Sequence, residues 1–545
     1  MKVFRFQLVG ALLAGLLSVV LARCEGRSRA ARAGFVTPSS LSAFVPSAMA
    51  GEGSGSSSSS LLSRAPGGYR TMMSSGGAIE GAGTPLSSGT SPIASSGGSS
   101  KSSAKGVAGQ ENAALPLHLS ILTPLPPSTQ ASVGGSVFNL AKNIVGSGIL
   151  ALPGGLAAFS HAKGAVVPGV ALTAALGGLS AYCFSLIGRT CNATGALTYG
   201  EAWAKTVDKR TSWLPSFSCT SKALFACTAY SIILGDLAHD LAKTFGAPAL
   251  LMSRNNSLLA LSSVFLLPLC LLKNLGPLSY TSIVGIAGSV YTAGVMALRY
   301  YDGSYAPGGR FYEAIAASQR GTFSGSAALT PMALLLVSML ATSFIAHYNA
   351  PKFYHELEEK SVPKFNKVVF AGYGSAIILC AAMLAYPFLT FGGNSMGLIL
   401  NNYATTDVLA TFCRLAIGFS ILCGYPLTFQ PSRDGIFDAL GIKNASNNTV
   451  RLATVLMLAV FTATGMVLRD LGFVVAFGGA ILGSAVIYIF PALMWIRKCK
   501  MDVKAGKPLA GWRKAEYVAQ YGVVGLGATL GALGAGLSVL KTFVW

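Results

Sequence analysis

The chain has 545 residues, of which 52% are hydrophobic and 11% charged, with a mean hydropathy of +0.57. Soluble domains carry roughly a quarter charged residues, so this sequence cannot furnish the water-facing surface of a globular fold and reads as an all-α polytopic membrane protein. Its formal charge of +21 would point to nucleic acid in a soluble chain, but the basic residues lie scattered between apolar runs, where topology accounts for them, and no nucleic-acid partner is expected.

Residues 1–26 start with Lys2 and Arg5, continue through an apolar run from Phe6 to Ala22, and have the pattern of a signal sequence. Residues 27–130 are rich in Ser, Gly, Ala and Pro, and residues 1–130 together hold ten Lys/Arg against four acids, Glu25, Glu52, Glu80 and Glu111. Such a low-complexity segment cannot bury a core and is expected to be disordered. Basic, hydroxylated and acid-poor is also the composition of a transit peptide. Ser42-Ala43-Phe44-Val45-Pro46 resembles the Ala-Phe-x-Pro motif of two-part plastid presequences in algae with secondary plastids, set about twenty residues beyond the signal. The alternative is a signal followed by a linker, with the protein in a vacuolar or other internal membrane.

From residue 131 onward, apolar runs of about twenty residues recur, each long enough to cross ~30 Å of hydrocarbon. They fall near 133–159, 164–188, 218–242, 257–272, 278–298, 328–350, 366–390, 406–430, 451–468, 472–496 and 519–540. The fourth is the shortest. Loops after the even-numbered spans, with the span ends beside them and Lys222 included, hold 20 Lys/Arg against eight on the opposite face. By the positive-inside rule the even loops and the N-terminal tail face the cytosol-like side. A secretory signal would instead deliver the tail to a lumen. Plastid import, which makes the stroma the inside compartment, reconciles the two; otherwise the apolar N-terminus does not act as a signal.

The first span reads Ser136-Val137-Phe138-Asn139-Leu140-Ala141-Lys142-Asn143-Ile144-Val145-Gly146-Ser147-Gly148-Ile149-Leu150-Ala151-Leu152-Pro153. Gly-Ser-Gly at mid-membrane weakens a helix, and Pro153 fits the first turn of a restarted one. Non-helical backbone at that depth survives where it lines a cavity. The N-terminus of a restarted half-helix then offers free N–H groups and a positive dipole end to a carboxylate. The competing reading is a small-residue seat for a neighbouring helix. Lys142 costs about 2.5–3.5 kcal/mol to insert mid-span, and with Asn139 and Asn143 it makes a polar patch just before the break; it is either a titratable coupling group or a snorkelling lysine. In the third span, Tyr230 and Asp236 are candidates, Asp236 either pairing with a cation or sitting solvated near the span end. The sixth ends Phe344-Ile345-Ala346-His347-Tyr348-Asn349-Ala350-Pro351, where His347 is a proton group or a packing residue. Arg414, at the start of the eighth, reads as a snorkelling arginine.

Together these segments resemble the amino acid/auxin permease family, and within it the branch of sodium-coupled neutral and vacuolar amino acid transporters. The resemblance covers roughly residues 133–500 and rests on Ser136 to Leu150, Pro268 to Ser282, Phe344 to Leu357 and Arg414 to Arg433, with Thr198-Tyr199-Gly200-Glu201, Ile233-Leu234-Gly235-Asp236 and Leu471-Gly472-Phe473 in the same order. It implies a LeuT/APC-type architecture of two inverted five-span repeats and an eleventh helix, with helices one and six discontinuous. It implies substrate contacts from Gly146, Ser147, Gly148, Tyr230 and the stretch Phe344 to Tyr348 with His347; from the polar residues themselves, Asn139 is a further candidate substrate contact and Lys142, Asn143 and Asp236 are the candidates for ion coupling. The sodium-coupled members carry an Asn where this chain has Lys142, and hydroxyls where it has Leu422 and Gly424. Sodium prefers oxygen ligands, so the expected partner is H+, carried by the Lys142 amine; with no clear acidic partner for a cationic side chain in the pocket, the expected substrate is a small neutral amino acid.

The expected function is secondary active transport of an amino acid, as symport or antiport, by alternating access. A membrane amino acid sensor and a sodium-coupled symporter are the alternatives. The ten cysteines form no CxxC pair or Cys/His ligand spacing, and there is no HExxH or phosphate loop; no enzyme activity, cofactor or metal site is expected.

Overall fold

Hydropathy alone accounts for the number of membrane spans. Among the residues described by the computed structural model, namely 131–544 without 273–274, 328–329 and 443 and without the side chains of 276–282, ten helices are long and apolar enough to cross a membrane. The bent pair Val133–Ile144 and Ser147–Phe159 supplies the eleventh span. The expected signal sequence, transit segment and Ala-Phe-x-Pro stretch lie outside the described residues.

Spans two to five run Lys163–Thr194, Lys209–Thr244, Arg254–Leu271 and Ile283–Tyr301; spans six to eleven run Ala333–Glu356, Val362–Phe391, Val408–Leu440, Asn447–Val467, Leu471–Lys504 and Trp512–Val544. Each expected apolar run has its helix. The third span begins nearer Lys209 than residue 218, because its first turns are polar and amphipathic at the membrane edge, which a hydropathy window discards. A short helix, Tyr199–Thr206, precedes it, with Thr198 capping the Glu201 N–H at 3.1 Å.

The first span starts on an N-cap, Ser132, whose hydroxyl accepts from the Gly135 N–H. It runs to Ile144, passes through extended Gly146, makes a 3-10 turn over Ser147–Ala151 and restarts as Leu152–Phe159 with Pro153 in its first turn. The two halves are bent by 46°. The sixth span repeats the device: helix Ala333–Ser343, a break at 344–346, a 3-10 turn His347–Asn349, and helix Ala350–Glu356 with Pro351 in its first turn. The breaks thus fall on the opening span of each five-span half. Proline suits each restart because the N–H it lacks has no intrahelical acceptor there.

The tenth span changes to π-helix over Gly479–Ile489 and packs against the sixth and eleventh spans. Its closest approach is at Gly479, where an added Cβ would stand 1.8 Å from the Ser338 carbonyl oxygen and 2.4 Å from Thr342 Oγ1. A backbone carbonyl inside a helix cannot rotate away. Gly479→Ala is therefore expected to destabilise the protein by about 1–3 kcal/mol through overpacking, read as a lower unfolding midpoint of the detergent-solubilised protein.

Candidate functional site

The two breaks face a common cavity of about 450 Å³. The first span contributes Asn139, Lys142, Asn143 and the Gly146-Ser147-Gly148 break; the sixth contributes Thr342, Ile345 and Tyr348; the third contributes Lys222 and Tyr230; the eighth contributes Gly424 and Thr428. The cavity mouth carries Lys352 and Glu356, whose charged atoms lie 3.7 Å apart, with the Lys352 side chain 69% exposed. That mouth lies at the end of the sixth span, on the face of the basic even-numbered loops.

The two halves of the broken first span supply opposite electrostatic ends. Helix Val133–Ile144 stops with its C-terminal carbonyls, a partial negative end, beside Lys142; the restart at Ser147 begins with N–H groups that have no intrahelical acceptor, a partial positive end. An ammonium fits the first and a carboxylate the second. Asn143 Nδ2 is buried without a hydrogen-bond partner among the described residues and adds a donor. Gly148 is buried at the closest approach of the two breaks, where a Cβ would come within 3.1 Å of Ser343 Oγ and 3.5 Å of Thr342 Cγ2. A larger side chain there would press on Ser343 and Thr342 and displace the two breaks from each other. Gly148→Leu is expected to reduce amino acid uptake at least about tenfold, since ångström-scale misplacement in a binding site carries penalties of that order; uptake at constant protein yield checks it.

Eight of the sequence candidates share this cavity wall: Asn139, Lys142, Asn143, Gly146, Ser147, Gly148, Tyr230 and Tyr348. Three do not. Phe344 is fully buried and tilts against the Tyr373 ring, whose hydroxyl donates to the Phe344 carbonyl at 3.2 Å. His347 is fully buried too; its Nε2 lies 2.9 Å from the Ser180 carbonyl oxygen, and its ring packs edge-on to Phe184 and Tyr373. The unwound turn of the sixth span swings both residues toward spans two and seven, and puts Ile345 and Tyr348 on the cavity instead. Asp236, expected at the ion site, belongs to the opposite face.

That face is sealed by ion pairs. The Asp236 carboxylate meets the Arg254 guanidinium and accepts from Asn401 Nδ2 at 2.9 Å, while Arg254 donates to the carbonyls of Gly465 (2.8 Å) and Ile232 (3.1 Å). Arg299 grips Asp407 with both Nε and Nη2, at 2.9 and 2.7 Å, and Asp407 is fully buried at the start of the eighth span. Tyr305 donates to the same carboxylate at 2.9 Å, and burial with that neighbouring charge pushes its phenol pKa far up. Beside it, burial favours protonation of Asp302, but hydrogen bonds from Ser304 and then Arg299 outweigh that and hold its carboxyl below the ordinary value.

Arg414 does not snorkel. It is 0% exposed and donates to Asp240 (3.1 Å) and to the carbonyls of Leu400 (3.0 Å), Tyr403 (2.6 Å) and Ala404 (3.4 Å). The acceptors come from the loop between spans seven and eight and from the third span, so no local pattern reports them. Lys222 was legible only as a basic residue near a loop, although its place inside the apolar third span is the same signal that singled out Lys142.

A second cavity of about 150 Å³ lies between spans one, three, five and eight, lined by Lys142, Ser147, Ser289, Ser420 and Gly424 among others. Lys142 therefore lies on the partition between the two cavities. The Ser289 hydroxyl donates to the Gly285 carbonyl at 3.0 Å, which leaves its oxygen able to accept.

Residues 129–532 match the family described as transmembrane amino acid transporter protein. Curated relatives include a putative sodium-coupled neutral amino acid transporter 11 of Bos taurus, 24% identical over 374 residues, covering 66% of this chain and 75% of that protein. Vacuolar amino acid transporter 5 of Schizosaccharomyces pombe is 24% identical over 376 residues, covering 67% and 84%. Among solved structures, the inward facing conformation of Mhp1 aligns with a TM-score of 0.49 at 11% identity, over 78% of this chain and 92% of that one. MhsT in complex with L-phenylalanine aligns with a TM-score of 0.45 at 13% identity, over 73% and 98%.

Proposed function

The chain belongs to the transmembrane amino acid transporter family, and from that premise we propose that it carries amino acids by alternating access around the 450 Å³ cavity, with protons as the coupling ion. The observation that carries this reading is the asymmetry of the site. Two helix breaks meet at a cavity that reaches the basic-loop face past Lys352 and Glu356, while the Asp236–Arg254, Asp240–Arg414 and Asp407–Arg299 pairs close the other face. Opening the second face requires those pairs to part while the first closes, which is the motion alternating access needs. The substrate carboxylate would meet the N–H groups of Ser147 and Gly148, and its ammonium the carbonyl end of helix Val133–Ile144.

Proton coupling is read from Lys142. It stands on the partition of the two cavities and beside a helix C-terminus, where a cation is favoured. An ammonium fills such a position when protonated and leaves it electrically empty when not, so charge at the site follows the proton. Sodium is the second reading, favoured by the hydroxyl-bearing Ser289 and Ser420 on the wall of the smaller cavity. Uptake of mixed labelled amino acids into proteoliposomes, under an imposed proton gradient and then a sodium gradient, separates them. Proton-driven uptake supports the first reading and sodium-driven uptake the second; binding without uptake under either gradient would make the protein a sensor.

For its destination, our reading is an organelle envelope reached through a signal over residues 1–26 and a transit segment over 27–130. N-terminal sequencing of the mature protein tests it, and a chain still starting at residue 1 overturns it.

A further inference from the structure

The charges around the cavity do not balance. Its wall carries Lys142, Lys222 and Lys352 against a single acid, Glu356, and that acid pairs with Lys352 at the exposed mouth. Lys222 is half-buried on the third span, about two turns of helix from Tyr230 on its basic-loop side. Its ammonium donates to the Tyr348 hydroxyl at 3.2 Å and lies 5.1 Å from the centre of the same ring. Among the described residues no carboxylate lies within ion-pair distance of it. An ammonium withdrawn from water into a membrane-spanning bundle is costly unless it is paired. A phenol and a ring face compensate only in part, because neither carries a full negative charge.

Tyr348 belongs to the 3-10 turn that restarts the sixth span, so Lys222 is tied to the segment that meets substrate. Thr428 of the eighth span shares that wall and adds a hydroxyl. We propose that Lys222, Tyr348 and Thr428 form a subsite for a second anionic group on the substrate, which makes the preferred cargo an acidic, dicarboxylic amino acid rather than the small neutral one expected from the sequence. This rests on the transport reading above. The α-carboxylate and α-ammonium are already accommodated by the broken first span, so the extra cation is matched by the side-chain carboxylate. The same ammonium would repel a lysine or arginine side chain.

The test uses the full-length chain in proteoliposomes preloaded with unlabelled amino acid, so that exchange is read without a driving ion. Labelled glutamate and aspartate are compared with their near-isosteric amides, glutamine and asparagine, in chloride and again in gluconate. A charge-assisted hydrogen bond is worth at least about tenfold in affinity, so wild type is expected to prefer each acid to its amide about tenfold or more in both media. Lys222→Met is expected to bring that ratio near one, and Lys222→Arg to keep it. Equal handling of acids and amides by wild type overturns the proposal whether or not the variants fold. So does a preference unchanged in Lys222→Met, or exchange that depends on chloride, which would assign the subsite to an inorganic anion. Absence of exchange and binding for every amino acid would instead overturn the transport reading itself.

Discussion

Lys142→Ala is expected to abolish accumulation driven by a proton gradient, lowering it by about a hundredfold, the scale on which loss of an essential proton-transfer group acts. Lys142 lines both cavities, and the carbonyl end of helix Val133–Ile144 stands beside it. With alanine there, no basic side chain remains among the residues that line both cavities. Exchange of preloaded substrate, which needs no net ion movement, should be reduced less than accumulation. That split distinguishes a coupling group from a residue that only shapes the pocket. Full proton-driven accumulation by Lys142→Ala would end the proposed mechanism.

Arg414→Ala is expected to cost about 3–5 kcal/mol, the range for breaking a buried ion pair by removing one partner. The guanidinium is fully buried and satisfies Asp240 together with the carbonyls of Leu400, Tyr403 and Ala404. Alanine leaves one carboxylate and three carbonyls without their donor, and unpairs the loop before span eight from the third span. Arg414→Lys restores the charge without the planar fork that reaches several acceptors at once, so it should recover only part of the loss. Unfolding midpoints in detergent, compared across wild type, Lys and Ala, check the order. An Arg414→Ala midpoint equal to wild type would mean that water replaces the guanidinium and that the pair contributes nothing to the closed face.

The class of fold, the eleven spans and the break in the first one were legible in the sequence. These are local properties. A run of about twenty apolar residues is sufficient for a span, and Gly146-Ser147-Gly148 followed by Pro153 disrupts and restarts a helix whatever surrounds it. The cavity-lining role of Lys142, Asn143 and Tyr230 was legible because polar groups inside apolar runs have few other uses. Which way the sixth span faces was decided only in three dimensions: a helix apolar on every side carries no amphipathic stripe to orient it. Phe344 and His347 therefore read as cavity residues, yet Tyr373 and the Ser180 carbonyl hold them in the core. The same holds for the charges. Asp236 is bound by Arg254, Asp240 by Arg414 and Asp407 by Arg299, and Lys222 meets Tyr348 across the cavity. Each of these pairs joins different spans, and only tertiary packing chooses a charge's partner when that partner lies elsewhere in the chain.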